Sequence, residues 1–251
     1  MVRGEAAYSA ADIEVLEGLE PVRKRPGMYI GGTEGPQGLH HLVKEILDNS
    51  IDEAMNGHAD KIILTLHKGG DSVSVQDNGR GIPTDTHPRF KKSALELILT
   101  TLHAGGKFSD RNYASAGGLH GVGASVVNAL SEELVATVVR GGEGWQQKFS
   151  RGKPTTRLMS LGKKTGHGTT IFFKPDSEIF RETRFSAERL SQVIEEKAFL
   201  NKGLRLVFVD ESAGSSKEFW YPDGLSAYLQ AYLTRQKLEV VAEERFALDR
   251  S

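Results

Sequence analysis

The sequence predicts an α+β fold, a two-layer sandwich in which helices cover one face of a mixed, mostly antiparallel β-sheet. Apolar residues recur at helical spacing from residue 39 to residue 55. Two alternating segments, 62–66 and 71–77, flank Lys68-Gly69-Gly70 and predict a β-hairpin. Alternating segments that recur between residues 134 and 209 would supply the remaining strands.

The other elements follow from capping residues and from the positions of glycine and proline. Residues 25–32 predict a turn and a tight loop ahead of the long helix, and Gly57 is placed to end that helix. Ser186 is a candidate N-cap for a later helix. Further helices are predicted over 93–102, 124–130 and 186–199 and from Gly224 onward, and further strands near 134–140, 145–150, 168–173 and 204–209.

Composition narrows the class of protein. Apolar residues make up 38% of the chain and charged residues 26%, both ordinary for a soluble protein. The chain has no cysteine, which excludes disulfides and thiolate metal sites, and its formal net charge of −1 argues against a main nucleic-acid-binding surface. The sequence shows neither a membrane-length apolar segment nor a signal peptide, so we expect a cytoplasmic protein without membrane contact.

The long helix carries a polar stripe opposite its apolar arc. The stripe consists of His41, Glu45, Asp48, Asn49 and Asp52. It contains no lysine or arginine to form ion pairs along the helix. Two interpretations stay open, a solvated helix face and a site that presents a general base and a metal-binding amide to a ligand.

Two further carboxylates are expected to be buried. Glu53 lies at the edge of the apolar arc and needs a partner, for which Arg80 is the natural candidate. Asp77 lies two and four positions after Val75 and Val73 in its strand. Its carboxylate should therefore point to the same face of the sheet as these valines, the face that is covered. There it could accept hydrogen bonds from backbone N–H groups of the following turn or from a ligand amine such as that of adenine. Gly79 and Gly81 would let a planar ring approach.

A glycine-rich stretch over residues 103–123 predicts a long loop and resembles a phosphate cradle. Its glycines leave backbone N–H groups free to meet oxyanions, the helix that starts near Ala124 adds its partial positive charge, and Lys107 adds a cation. Neither the P-loop pattern nor the dinucleotide pattern is met, so a glycine-rich surface loop without a ligand stays the alternative.

Taken in order along the chain, these segments resemble an ATPase superfamily that type II DNA topoisomerases share with heat-shock chaperones, sensor histidine kinases and mismatch-repair ATPases. Within it, three blocks are similar to the bacterial gyrase B and topoisomerase IV B family, and the resemblance covers essentially the whole chain. The blocks are Arg23-Lys24-Arg25-Pro26-Gly27-Met28-Tyr29-Ile30-Gly31, His103-Ala104-Gly105-Gly106-Lys107-Phe108 and Gly117-Gly118-Leu119-His120-Gly121-Val122-Gly123 with the run to Val127-Asn128-Ala129-Leu130.

The resemblance implies a Bergerat-type ATP-binding fold and assigns roles to residues. Glu45 would be the general base that polarises the attacking water, His41 would support it, and Asn49 would bind Mg²⁺. Asp77 would accept a hydrogen bond from the adenine amine, and Thr169 would assist through a water. The apolar lining of the adenine pocket would come from Ile82, Pro83 and Ile98.

The remaining implied roles concern phosphates, the partner subunit and inhibitors. Tyr8 would reach the nucleotide of the partner subunit when two chains dimerise. Arg80 and Arg140 would contact aminocoumarin inhibitors. The phosphates would be held by Lys107, Leu119, His120, Gly121, Val122 and Gly123.

The resemblance further implies an organisation and a function. Residues 1–20 would form a dimerisation arm, 21–225 the ATP-binding domain, and 226–251 the start of a transducer region within a longer protein. ATP binding would close the homodimer and drive DNA strand passage together with an A-type breakage-reunion subunit. Because the family's phosphate-contacting lysine lies in the transducer, this fragment should bind ATP but hydrolyse it slowly.

Two rival functions are considered. One is a chaperone or mismatch-repair ATPase of the same superfamily, against which the block at residues 25–31 counts. The other is a nucleotide-gated dimerisation module without turnover, against which Glu45 and Asn49 count for the parent protein. The choice between gyrase and topoisomerase IV stays open, although the stretches 184–186 and 221–225 slightly favour topoisomerase IV.

Overall fold

The structure, a computed structural model, describes residues 13–105 and 121–238. These residues form a nine-stranded sheet with helices packed on it. The helices are α1 Glu20–Lys24, α2 Gly27–Ile30, α3 Pro36–Met55, α4 Ala94–Thr100, α5 Gly123–Ala129, α6 Ala187–Leu200 and α7 Leu225–Gln236. The strands are β1 Lys61–Leu66, β2 Val73–Asp77, β3 Ser131–Arg140, β4 Glu143–Ser150, β5 Lys153–Pro154, β6 Met159–Lys163, β7 Gly168–Pro175, β8 Arg205–Asp210 and β9 Ser215–Phe219.

The sheet is mixed and mostly antiparallel, as the sequence predicts. Its strands follow the order β5-β4-β3-β7-β2-β1-β8-β9, and β6 pairs with β4. β1 and β8 run parallel, whereas β1 and β2 form the predicted antiparallel hairpin, in which Ile62 pairs with Asp77 and Leu66 with Val73. The hairpin register places Asp77 at the end of β2 in the middle of the sheet.

Alternating burial shows that helices cover one face of the sheet. In β1, Ile62 and Leu64 are fully buried while Lys61, Ile63 and Thr65 are partly exposed. α3 packs against β1 and β2 with its apolar arc, in which Leu42, Val43 and Leu47 are fully buried. A fully buried leucine or valine contributes about 1.5–3 kcal/mol relative to an exposed one. This burial fixes the rotation of α3 and therefore the direction of its polar side chains.

Short and marginal elements are where the sequence prediction was wrong or incomplete. The one-turn helix α2 lies within residues 25–32, where we predicted a turn and a tight loop, and the one-turn helix α1 was not predicted. Helices of this length carry too few residues for a periodicity to be read. The strands β5, β6 and β9 were not predicted, and β6 lies exposed over its whole length and so lacks an apolar alternation.

The predicted helix ends are confirmed. Gly57 adopts φ +75° immediately after Asn56, the C-cap of α3, and this backbone conformation suits glycine. The Ser186 side chain accepts a hydrogen bond from the Arg189 N–H at 3.2 Å and caps α6.

Within the described ranges, none of the helices combines the length and apolarity that a membrane crossing requires.

A buried carboxylate ties α1 and α5 to the sheet. Asp176, fully buried just after β7, accepts from Arg23 at 2.8 Å and from Arg151 at 2.9 Å. Arg23 also donates to the carbonyl oxygen of Ala129 at the end of α5. Burial alone would raise the pKa of Asp176, but the hydrogen bond from the Glu178 N–H and the two arginines hold that pKa below its ordinary value.

We therefore expect Asp176→Ala to lower the free energy of unfolding by about 3 kcal/mol, because it leaves two arginines facing a buried site without their partner. Urea denaturation at pH 7 measures this loss. The matched control is Glu178→Ala, which removes a side chain that is 60% exposed in the same cluster and which should cost less than about 1 kcal/mol. Since the folded pKa of Asp176 is depressed, its contribution should disappear as the pH falls through that pKa. Equal losses in the two variants at pH 7 would contradict this account.

Candidate functional site

A cavity of about 1110 Å³ lies between α3, α4 and the ends of β2 and β7. It brings together side chains that are far apart in the sequence. The residues singled out from the sequence that line it include Glu45, Asp48, Asn49, Glu53, Asp77, Arg80, Gly81, Ile82, Pro83, Ile98, Gly121, Val122, Gly123, Arg140 and Thr169. Tyr8, Lys107, Leu119 and His120 lie outside the described residues, as does the loop between residues 105 and 121.

Asp77 is a buried carboxylate in the wall of this cavity. It is 7% exposed. Its Oδ1 accepts from the N–H of Gly79 at 2.9 Å and from the N–H of Thr169 at 3.2 Å, and its Oδ2 accepts from the Ser50 hydroxyl at 2.9 Å. Backbone donors thus satisfy part of the carboxylate, as one of the two sequence interpretations proposed. A carboxylate has about four acceptor positions, so Asp77 retains capacity for another donor.

The glycines around Asp77 leave room for neighbouring protein groups. A Cβ at Gly79 would lie 3.0 Å from both Asp77 Oδ1 and Glu53 Oε2, and a Cβ at Gly81 would lie 2.9 Å from the Val139 carbonyl oxygen. Protein packing thus requires glycine at both positions, and the approach of a ligand ring to them stays a prediction. The turn is further held by Thr169 Oγ1, which accepts from the N–H of Ile82 at 3.2 Å.

Burial raises the pKa of Asp77 above its ordinary value, because a charged carboxylate is poorly solvated inside the protein. The hydrogen bonds from Gly79, Ser50 and Thr169 oppose this rise without cancelling it. In the pH range between the unfolded and the folded pKa, the folded state binds a proton that the unfolded state does not bind. Stability therefore falls as the pH rises through that range.

Glu45 is held by groups on two helices. His41 Nε2 lies 3.0 Å from Glu45 Oε1, one turn earlier on α3. His41 itself does not line the cavity, so its imidazole contacts the Glu45 carboxylate from outside the cavity. A Cβ at Gly123 would lie 2.0 Å from Glu45 Oε2. The first residue of α5 must therefore be glycine for the Glu45 carboxylate to occupy this place.

The polar stripe of α3 is not a solvated helix face along its whole length. Asp48 also lines the cavity and forms an ion pair with Lys197 of α6, at 2.5 Å between Oδ1 and Nζ. The basic partner of Asp48 thus comes from another helix, which the expectation about pairs along α3 did not address. Asp52, expected on the polar side, is fully buried. Periodicity shows which side of a helix is apolar, but it does not show how far neighbouring elements wrap around it.

The predicted pair of Glu53 and Arg80 is present. Arg80 donates through Nε at 3.1 Å and through Nη2 at 2.7 Å, and its backbone N–H adds a third hydrogen bond to the same carboxylate. Arg140 in turn donates to the carbonyl oxygens of Gly81 at 2.8 Å and of Arg80 at 3.2 Å. The two arginines thus fix the turn that carries Ile82 and lie at the cavity wall.

Several lining residues were not predicted from the sequence. Ser50 is the most informative of them, because a serine directly after Asn49 in the predicted helix could have indicated a further polar group at the site. In the structure its side chain is buried. Nothing in the sequence pattern pointed to the aromatic and imidazole groups at the wall. These are Tyr29, His87 and Phe90.

Comparison with known proteins defines the class. Residues 34–179 match the family described as histidine kinase-, DNA gyrase B-, and HSP90-like ATPase. This match covers more than half of the chain, and the chain belongs to that ATPase family. The family resemblance inferred from the sequence motifs is confirmed.

The relatives are B subunits of type II topoisomerases. The chain is 54% identical to the DNA gyrase B subunit of Thermotoga maritima over 230 residues, which cover 92% of this chain and 36% of that protein. It is 52% identical to the DNA topoisomerase 4 B subunit of Bacillus subtilis over 237 residues, covering 94% and 35% respectively. The chain therefore spans about a third of the length of these relatives, and the similar identities do not separate the two names.

A solved structure supports the same conclusion on the fold. The 43K ATPase domain of Thermus thermophilus gyrase B, in complex with an aminocoumarin, matches with a TM-score of 0.77 and 45% identity. The match covers 85% of this chain and 54% of that chain. The predicted fold class is thus confirmed both by the observed sheet and by this likeness.

The raised pKa of Asp77 leads to a prediction about stability. Asp77→Asn should increase the free energy of unfolding at pH 7, because an amide oxygen can accept from Gly79 and Thr169 without a buried charge. The advantage should shrink as the pH falls through the folded pKa of Asp77. Urea denaturation between pH 4 and pH 8 measures both effects, with Asp223→Asn at an exposed position as the control. A variant that is less stable than the wild type at pH 7 would show that the negative charge stabilises the fold.

Proposed function

We propose that the cavity binds the Mg²⁺ complex of ATP and that Glu45 acts as the general base in its hydrolysis. The observation that carries this proposal is the arrangement of Asp77 and Glu45 in one cavity of an ATPase family fold. Ser50, which holds Asp77, lies five residues after Glu45, so about 7.5 Å of helix axis separates their levels. The two carboxylates can therefore meet different parts of one nucleotide.

Asp77 would recognise the purine. Its buried carboxylate has unused acceptor capacity and faces a cavity that also has apolar walls, which suits a flat base with one exocyclic amine. Thr169 would assist through a water. The apolar contacts would come from Ile82, Pro83 and Ile98, all of which line the cavity.

Asn49 would hold Mg²⁺ at the phosphate end. Within the described ranges, no cluster of three or more His, Cys, Asp or Glu side chains is arranged to hold a metal. One amide oxygen together with phosphate oxygens and water is a coordination that Mg²⁺ accepts, so the donor set fits this ion. When bound, Mg²⁺ neutralises charge on the phosphates. The backbone from Leu119 to Gly123 and the Lys107 ammonium would complete the phosphate contacts.

Glu45 would accept a proton from the water that attacks the terminal phosphate. Its carboxylate is oriented by His41 on one side and by the close approach of Gly123 on the other. Positioning of this kind is what phosphoryl transfer to water requires, since the reaction depends on orientation and charge stabilisation more than on covalent chemistry.

The assembly would couple this reaction to DNA. We propose that residues 1–20 form a dimerisation arm with Tyr8 reaching the nucleotide of the partner subunit, that 21–225 form the ATP-binding domain and that 226–251 begin a transducer region. ATP binding would close a homodimer that works in the cytoplasm with an A-type breakage-reunion subunit to pass DNA strands. The high identity to gyrase and topoisomerase 4 B subunits supports this assembly.

The same cavity would take aminocoumarin inhibitors. The matched Thermus thermophilus domain is in complex with such a compound. Arg80 and Arg140 lie at the cavity wall, where their guanidinium groups are fixed by Glu53 and by backbone carbonyl oxygens. Preorganised donors of this kind favour a polar ligand beside the adenine pocket.

The role of Glu45 is tested by Glu45→Ala in the full-length protein. ATP turnover should fall by about 10²–10⁴-fold, the usual contribution of a general base, while the affinity for a non-hydrolysable ATP analogue with Mg²⁺ stays within about fivefold. Glu196→Ala, an exposed glutamate on α6, is the control and should change neither quantity. Loss of binding together with turnover would refute the general-base role, and turnover by the isolated chain equal to that of the full-length protein would refute the need for a transducer.

A further inference from the structure

We infer that Lys197 of α6 is a positioning residue for the nucleotide, because it compensates the charge of Asp48 and so sets the electrostatic potential where the phosphates bind. This inference rests on the proposed function of the cavity. Lys197 Nζ lies 2.5 Å from Asp48 Oδ1. Asp48 lines the cavity, whereas Lys197 does not. The lysine therefore acts on a ligand only through Asp48.

The position of Asp48 on α3 makes its charge important. Asp48 precedes Asn49, the proposed Mg²⁺ ligand, and follows Glu45 by three residues, so the two carboxylates are neighbours on the helix surface. Glu45 has the imidazole of His41 within 3.0 Å. Without Lys197, the phosphate end of the cavity would present two neighbouring carboxylates to a ligand that itself carries several negative charges.

The place of the Lys197 ammonium is set by the packing of α6. Ile194 and Ala198 of this helix are fully buried, and α6 packs on β8. Ser186 caps its first turn, and the backbone N–H of Ser186 donates to Nε2 of the buried His40 on α3. Lys197 lies in the last turn of α6, where a cation also interacts favourably with the helix dipole. A helix that packs on β8 thus delivers the ammonium to Asp48 of α3.

A salt bridge at this exposure usually contributes little to folding stability; the side chains of Lys197 and Asp48 are 26% and 35% exposed. A purely structural role would affect all ligands of the cavity alike. A charge-compensating role would instead affect ligands in proportion to their charge. The comparison of adenosine with a non-hydrolysable ATP analogue separates the two roles.

The test is a charge series measured by calorimetry on this chain with Mg²⁺. Lys197→Met keeps the aliphatic stem and removes the charge, so the ATP analogue should bind about tenfold more weakly while the affinity for adenosine stays within about twofold. The double variant Asp48→Asn with Lys197→Met restores the net charge of the pair and should return the affinity for the analogue to near the wild-type value. Lys197→Arg should also retain it.

The matched control is Lys174→Met, which removes a lysine paired with Asp71 and Glu132 outside the cavity and should leave both affinities unchanged. Equal weakening of adenosine and the analogue by Lys197→Met, no weakening at all, or failure of the double variant to recover would overturn the inference. Wild-type protein that binds neither adenosine nor the analogue would overturn the proposed function instead.

Discussion

The buried carboxylate of Asp77 is the constraint on which the rest of the site depends. Three segments that are distant in the sequence donate to it, namely α3 through Ser50, the turn after β2 through Gly79, and β7 through Thr169. A carboxylate that loses its solvent must be hydrogen-bonded, so each segment is held at a fixed distance from the others. The floor of the cavity is thereby defined before any ligand enters.

The carboxylates of the cavity fall into two electrostatic kinds. Asp48 and Glu53 each form an ion pair, with Lys197 and Arg80 respectively, and Glu45 lies beside the imidazole of His41. Asp77 is instead held by the neutral donors described above.

This division gives different tasks to different parts of the cavity. Asp48 and Glu53 can lie beside an anionic ligand without repelling it strongly, since the net charge of each ion pair with its lysine or arginine is small at a distance. An uncompensated, partly satisfied carboxylate favours a ligand group that brings its own proton donor. The helix α3 thus contributes to two environments. Near Asp48 the cavity suits phosphates, and near Ser50, which holds Asp77, it suits a nucleobase.

The parts of this arrangement that could be predicted from the sequence are local. The apolar arc of α3, the hairpin around Gly69 and the inward parity of Asp77 follow from periodicities of 3.6 and 2, and the pairing of Glu53 with Arg80 follows from the need of a buried charge for a partner. The motif order was specific enough to identify the ATPase family.

The remaining parts depend on contacts between distant segments. The pair of Asp48 and Lys197 joins α3 to α6, and no pattern within either helix predicts it. Gly79 and Gly123 are required because a Cβ at either position would meet a carboxylate. These carboxylates belong to Asp77 and Glu53 at Gly79, and to Glu45 at Gly123, and both glutamates come from the distant helix α3. The short helices α1 and α2 and the exposed strand β6 lack a periodic signal because they bury little apolar surface.

The central claim is that Asp77 recognises an exocyclic amine of the bound base. The most direct measurement is a double-mutant cycle by calorimetry, in which wild type and Asp77→Asn each bind ATP and purine riboside triphosphate, which lacks that amine. The account predicts that the wild type prefers ATP by about 1.5–3 kcal/mol, the range for a hydrogen bond to a charged group, and that Asp77→Asn loses this preference. The same preference in both proteins would contradict it.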